Sequence, residues 1–413
     1  MTMPTTTMPD MRKPEALWAH MRHTLAFYAP RVRDASGGCF QFFKDDGQIY
    51  DRRTRHLVSS TRFVFNHALA RRWFGAPLDD VAHALAFVRE AHAQPDRNHG
   101  GYAWTLDWHE GRATVTDGTN HCYGLAFVLL AHAHALEVGV ESARAGIAET
   151  FELMERRFWE PAHGLYADEA TPDWRLGPYR GQNANMHACE AMLAAHHATG
   201  EAGYLLRALQ LAASVTQRQA ALAGGLVWEH YKTDWTPDWD YNREDKTNIF
   251  RPWGFQTGHL TEWAKLLLML ERRLGDSAPQ WLYPTARHFF DTAMARGWDA
   301  THGGLVYGFA PDSEGGGVCD ADKYFWVQAE SLAAAAWLAV RSGEDYHWAW
   351  YERIWRYAWL HFVDHVHGAW YRILAPDNSK VTDEKSPAGK TDYHTMGACQ
   401  DVLAALQIVP PAQ

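Results

Sequence analysis

The chain has 413 residues, 47% hydrophobic and 21% charged, with a net charge of −10 and an aromatic load of 20 Trp, 17 Tyr and 18 Phe. The acidic balance, with no basic run, argues against nucleic acid and anionic membrane as partners, and no stretch reaches the roughly 18–20 apolar residues of a membrane span. Aromatic residues on this scale either fill a large core or line a cavity for sugar rings, whose C–H faces pack on indole.

In chain order, the N-terminal MTMPTTTMPDMRKP has no apolar centre. It reads as a flexible tail over residues 1–12 and not as a signal peptide. Helical periodicity follows at 14–29, 57–74, 78–93, 120–138, 142–158, 183–199, 202–220, 258–274, 279–296, 325–341, 345–362 and 392–407, about twelve helices in all. Cys39, Cys122, Cys189, Cys319 and Cys399 are scattered among them with no CxxC pair. That usage predicts reduced thiols in a cytoplasmic protein.

Between the helices recurs a glycine followed by short alternating aromatic residues: GGCFQFF at 37–43, HGGYAW at 99–104, HGLYAD at 163–168, GGLVWE at 224–229, HGGLVYG at 302–308 and HGAWYRI at 367–373. These predict short strands or hairpins. Their glycines, at 37, 100, 164, 224, 303 and 368, lie 60 to 79 residues apart, which is an internal repeat. The first and last units resemble the middle ones, whereas an open solenoid needs distinct caps. The expectation is therefore an all-α fold, an (α/α)6 barrel with short β-hairpins in its connections, forming one domain over 1–413. The long irregular segments 228–257, 309–323 and 374–391 become loops bordering the mouth.

Candidate chemistry collects at helix starts. In RPWGFQTGHLTEWAKLLLML, Thr257 or Gly258 caps a helix that carries His259 in its first turn and Glu262 three positions on, a spacing that puts both on one face. A carboxylate beside an imidazole can fix its tautomer and tune its pKa. RGQNANMHACEAML repeats the His-x-x-Glu spacing at His187 and Glu190, with Asn183 or Asn185 as cap. His394 opens the last helix, with Asp392 placed to cap it and orient the ring. Arg62 lies in an apolar helix face and needs a sugar oxygen or a carboxylate such as Glu262. Asn120, His121 and Tyr123 at one helix start, and Trp326 with Glu330 at another, supply pocket wall and hydrogen-bonding groups. A dinuclear metal site and a two-carboxylate glycosidase are the competing enzyme readings. The chain lacks HExxH, and its histidines outnumber convincing acid pairs. A non-catalytic sugar-binding protein also fits the composition.

The segments RGQNANMHACEAML, RPWGFQTGHLTEWAKLLL and DYHTMGA closely resemble the N-acylglucosamine 2-epimerase superfamily, and within it the aldose–ketose isomerase branch acting on D-mannose or sulfoquinovose. The resemblance spans essentially the whole chain. It implies an (α/α)6 barrel, no metal or other cofactor, a monosaccharide substrate, and D-mannose/D-fructose interconversion, with D-lyxose/D-xylulose as a further pair. His259 and His394 match the acid/base histidines. Arg62, His187 and Glu262 match sugar-binding and ring-opening positions, and Asn183 and Trp326 match pocket positions. A sugar 2-epimerase uses similar groups, and both monomer and homodimer stay open.

Overall fold

Twelve α-helices form among the residues described by the computed structural model, which are 7–94, 100–245, 248 and 251–410. They are α1 (Pro14–Tyr28), α2 (Leu57–Phe74), α3 (Leu78–Phe87), α4 (Cys122–Glu137), α5 (Ala143–Arg157), α6 (Gln182–Thr199), α7 (Ala202–Ala213), α8 (Thr257–Leu274), α9 (Leu282–Gly297), α10 (Phe325–Ser342), α11 (Asp345–His361) and α12 (Tyr393–Ala405). None is long and apolar enough to cross a membrane.

Burial sorts them into two layers. In α10 every residue from Phe325 to Ala339 except Trp326 is buried, as expected of a helix surrounded by protein. Outer α7 buries only the stripe Tyr204, Leu205, Ala208, Leu211 and Ala212. The even-numbered helices form a ring in which α2, α4, α6, α8 and α10 each touch the next, α10 touches α12, and α12 returns to α2. Each odd-numbered helix from α3 to α11 packs on the inner helix before it, and α1 packs on α12. The first helix thus completes the last pair. This is the predicted (α/α)6 barrel.

The Gly-aromatic repeat builds the connections at one end of the ring. Short antiparallel strands join successive units: 54–56 with 105–109, 120–121 with 169–170, 180–181 with 230–231, 255–256 with 308–309, and 323–324 with 373–374. A sixth pairing, of 42–44 with 384–386, joins the two ends of the chain. The six repeat glycines all have φ between 60° and 147°, a region where side chains are strained and glycine is not. His99 of the second unit, residues 1–6 of the expected tail, and residues 246, 247, 249 and 250 of the 228–257 segment lie outside the described residues.

These strands also replace the expected caps. α8 starts after Gln256 and α6 after Gly181, neither with a side-chain cap bond. The first helical N–H groups instead donate to carbonyls of the following unit: Cys122 to Asp168, Gln182 to Glu229, Thr257 to Tyr307 and Phe325 to Arg372. The helices predicted to run to 93 and 220 keep about that extent, with π-helical turns at 88–92 and 214–219. One further expectation is corrected. The tail is anchored before residue 12, because Met11 is buried and its carbonyl accepts the Tyr351 hydroxyl at 2.6 Å.

Candidate active site

A cavity opens where the N-terminal ends of the inner helices meet. It is lined by Arg62 of α2, Tyr123 of α4, Asn183 and His187 of α6, His259 and Glu262 of α8, Trp326 of α10 and His394 of α12. Eight residues singled out from sequence therefore share one space. Segment 374–391 contributes Ala388, Gly389 and Lys390 to its wall.

Glu330 does not line this cavity. It is 2% exposed and sits behind His394, its Oε1 accepting from His394 Nδ1 at 2.7 Å and its Oε2 from Lys265 Nζ at 2.6 Å. Buried behind His394 and outside the cavity lining, it does not reach a sugar held there, which corrects its expected role as a sugar contact. Burial opposes ionisation of Glu330, but Lys265 and His394 outweigh it and hold the carboxyl down at about 2. An ionised carboxylate only accepts, so His394 carries its proton on Nδ1 and presents a bare Nε2 to the cavity. Burial also lowers the His394 pKa to about 4, so the ring is neutral near neutral pH.

Asp392, expected to orient His394, is occupied elsewhere. It takes the Tyr28 hydroxyl at 2.6 Å, Lys390 Nζ at 2.6 Å and the Trp370 amide at 3.3 Å.

His259 is held in a parallel way by a residue that the sequence reading did not single out. Its Nδ1 lies 2.9 Å from Glu229 Oε2, and Gln182 Nε2 donates to the same oxygen at 2.9 Å. The Trp263 indole N–H donates to Gln182 Oε1 at 2.7 Å and fixes the amide orientation. The expected His259–Glu262 pair does not form, although the same three-residue spacing does join His187 Nδ1 to Glu190 Oε2 at 2.8 Å. Side chains in a helix lean toward its N-terminus. His259 in the first turn therefore leans out to Glu229, just before strand 230–231, while Glu262 sits a turn deeper. A signal for Glu229 exists in the repeat: in HGLYAD and GGLVWE an acid stands three residues after the leucine, and both Asp168 and Glu229 are buried, with carbonyls that accept the first N–H groups of α4 and α6.

Glu262 is the outlier of the site. It is 1% exposed, and neither carboxylate oxygen has a hydrogen-bond partner among the described residues. Burial and then repulsion by Glu330 push its pKa well above the carboxylate range, with Glu190 adding to the effect and Lys265 and Arg62 only partly opposing it. Glu262 is thus a neutral acid. Arg62 does not bond to it. The guanidinium donates to Gly389 O and to Tyr123 Oη (3.2 Å) and lies between the Phe127 and Tyr393 rings, 4.4 and 4.7 Å from their centroids. Asn183 does not cap α6; it lines the cavity, and its Oδ1 has no partner among the described residues. Asn120 ties Tyr102 to Thr171, and His121 packs on Trp104, so both are structural. His56 and Trp104 are further wall residues that the sequence reading passed over.

Trp326 forms a wall between the two imidazoles, its ring 5.1 Å from that of His259 and 5.7 Å from that of His394. Gly258 makes room for it, since a Cβ there would lie 2.3 Å from Trp326 Cζ3. Gly258→Ala is expected to displace the indole and lower kcat/KM by about 100-fold, the scale of a roughly 1 Å misplacement of a positioning group. Steady-state kinetics of the folded variant check this, and an unchanged kcat/KM would show that the indole's position is immaterial.

Among the described residues, two groups have a donor set that could hold a metal: His187, Glu190 and Glu262, and Glu262, Glu330 and His394, each with ligand atoms within 4.8 Å of one another. In both, the histidine Nδ1 already holds a carboxylate. In the second, the Lys265 ammonium already provides the cation.

A closed helical ring with imidazole–carboxylate pairs at its mouth is the setting in which the sequence comparisons fall. The profile of the N-acylglucosamine 2-epimerase (GlcNAc 2-epimerase) family matches residues 38–398, and the chain belongs to this family. It is 52% identical over 399 residues to a D-mannose isomerase of Marinomonas mediterranea, an alignment covering 95% of this chain and 97% of that one. A D-mannose isomerase of Thermobifida fusca is 39% identical over 284 residues, 68% of each chain. A crystal structure of D-mannose isomerase superposes with a TM-score of 0.91 at 51% identity, covering 96% of this chain and 99% of that one.

Proposed function

We propose that the protein is an aldose–ketose isomerase that interconverts D-mannose and D-fructose by histidine acid/base chemistry, without a metal, through a cis-enediol, with D-lyxose and D-xylulose as the pentose counterparts. The observation that carries this reading is the pair of imidazoles on either side of Trp326, each with Nδ1 held by a carboxylate. Its five cysteines are free thiols, which supports a reducing cytoplasmic setting.

The chemistry follows from the parts. Ring opening needs a proton on the ring oxygen and removal of one from the anomeric hydroxyl, and His259 with the neutral acid Glu262 serves that step. In the open chain, His394 Nε2 takes the C2 proton. The C2–H electron pair becomes the C1–C2 double bond, and the carbonyl pair moves to O1, which takes a proton from the Glu262 and His259 side. Arg62 stabilises the oxygen charge as it develops. In the second half, His394 returns its proton to C1 while the O2 hydroxyl proton passes back to that same side. Carbon-bound proton transfer at one face, with neutral histidine as base, suits a base with a near-neutral intrinsic pKa. It does not require a metal to polarise the carbonyl, because Glu262 supplies the proton.

Proton NMR of D-mannose in deuterated water with chelator-treated protein tests the reading. Fructose is expected as the first product, with deuterium entering C1 to the extent that the His394 proton exchanges with solvent. Glucose as the first product, deuterated at C2, would establish an epimerase. Loss of turnover on chelation would overturn the metal-free mechanism.

A further inference from the structure

Two glutamates of the site, Glu262 and Glu330, are equally buried, at 1% and 2% exposed, and repel one another. Yet they are in opposite states: Glu262 is a neutral acid, and Glu330 is an anion holding His394. Among the described residues, Glu330 has two hydrogen-bonded partners that Glu262 lacks, His394 and the Lys265 ammonium. Lys265, one turn beyond Glu262 on α8, puts its Nζ 2.6 Å from Glu330 Oε2. The same ammonium lies 2.9 Å from Asp401 Oδ2 of α12. Lys265 is itself 3% exposed, and its other charged neighbours, Glu262 and Glu190, act on it at longer range.

A second cavity lies against this ion chain from the other end of the barrel. Its walls are the C-terminal halves of the inner helices, including Leu130 and Glu137 of α4, Leu193 of α6 and Met269 of α8, and its floor includes Lys265, Glu330 and Asp401. The chain from His394 through Glu330 and Lys265 to Asp401 thus runs from the sugar cavity to the opposite cavity through the middle of the ring.

We propose that Lys265, anchored by Asp401, is a positioning residue that fixes His394 as a base by keeping Glu330 ionised. The inference rests on the isomerase reading for its kinetic arm only. Without the ammonium, a carboxyl this deeply buried takes up a proton. Protonated Glu330 would then donate to His394 Nδ1. The imidazole proton would move to Nε2, and the face toward the sugar would hold a donor where the reaction needs a lone pair. Lys265 thereby divides the labour of two otherwise similar carboxyl groups, and environments that push two pKa values apart commonly define acid and base roles.

The test is nitrogen-15 NMR of the imidazole rings in uniformly labelled protein, with His394 assigned by difference against H394N, alongside kinetics on D-mannose. In the parent protein His394 is expected to be protonated at Nδ1 and bare at Nε2. In K265M the proton is expected at Nε2, and kcat falls by about 100-fold or more with KM within about threefold, the signature of a lost transition-state contribution. K265R is expected to restore the tautomer and much of kcat. If K265M does not fold, K265M/D401N removes the second buried carboxylate left without a partner, and the same readouts apply. An Nδ1-protonated His394 in the Lys265-lacking variant, with kcat unchanged, would overturn the proposal. Absence of mannose turnover in the parent protein would defeat the isomerase reading instead, and the tautomer would still decide the role of Lys265.

Discussion

His394→Asn is expected to lower kcat for D-mannose by about 1000-fold, within the range a general base contributes, or about 4 kcal/mol of barrier, while KM changes little. Asparagine is close in size and can still donate to Glu330, so the floor of the site is kept and only the Nε2 lone pair is lost. The pH profile carries the same information. Burial and its surroundings lower the His394 pKa to about 4, so its base form is complete above that value. The acid limb of kcat should fall near pH 4 and not near the ordinary histidine pKa of about 6.5. Steady-state kinetics from pH 4 to 8 check this; a limb near 6.5 would place the working imidazole in a wetter environment than His394 occupies. Exchange at C2 in deuterated water separates the two histidines. If exchange survives in His394→Asn and vanishes in His259→Asn, the roles proposed for the two rings are reversed.

The ring of helix pairs was legible in the sequence because about twelve stretches carry apolar residues at helical spacing, and because the Gly-aromatic punctuation between them recurs six times with no distinct terminal units. The residues of the cavity were legible because they stand at helix starts, and a closed barrel brings alternate helix starts to one mouth. Their pairings were less legible. Spacing reports which side chains share a helix face, and that sufficed for His187 and Glu190. His259 and His394 instead take partners from other elements, Glu229 in the connection just before strand 230–231 and Glu330 on the neighbouring inner helix. Asp392, two residues before His394, has φ of 54° and turns its carboxylate toward Tyr28 and Lys390, a backbone state that periodicity does not reveal. The neutral state of Glu262 was equally hidden. It depends on charges from α6 and α10 meeting on α8, which is a property of the assembled ring.

Glu262→Gln is the second large effect, and it discriminates because glutamine imitates a protonated glutamate in shape and charge. If Glu262 is the neutral acid of the site, the substitution leaves the field at His394, His187 and Glu330 unchanged and removes only the transferable proton. kcat is then expected to fall by about 100-fold or more, with little change in Tm. Were Glu262 ionised, the same change would relieve repulsion from Glu330 and Glu190 in a buried setting, and Tm would rise clearly. Calorimetry beside kinetics therefore reads the protonation state and the role in one variant. The pH dependence has a definite sign. The pKa of Glu262 is raised by burial and by Glu330, so its acid form is complete at low pH and is lost as pH rises through that value. The parent enzyme should lose activity on the alkaline side as Glu262 ionises, and the residual activity of Glu262→Gln should lack that limb. A variant with full kcat would take Glu262 out of the proton path and leave His259 as the acid at the sugar oxygens.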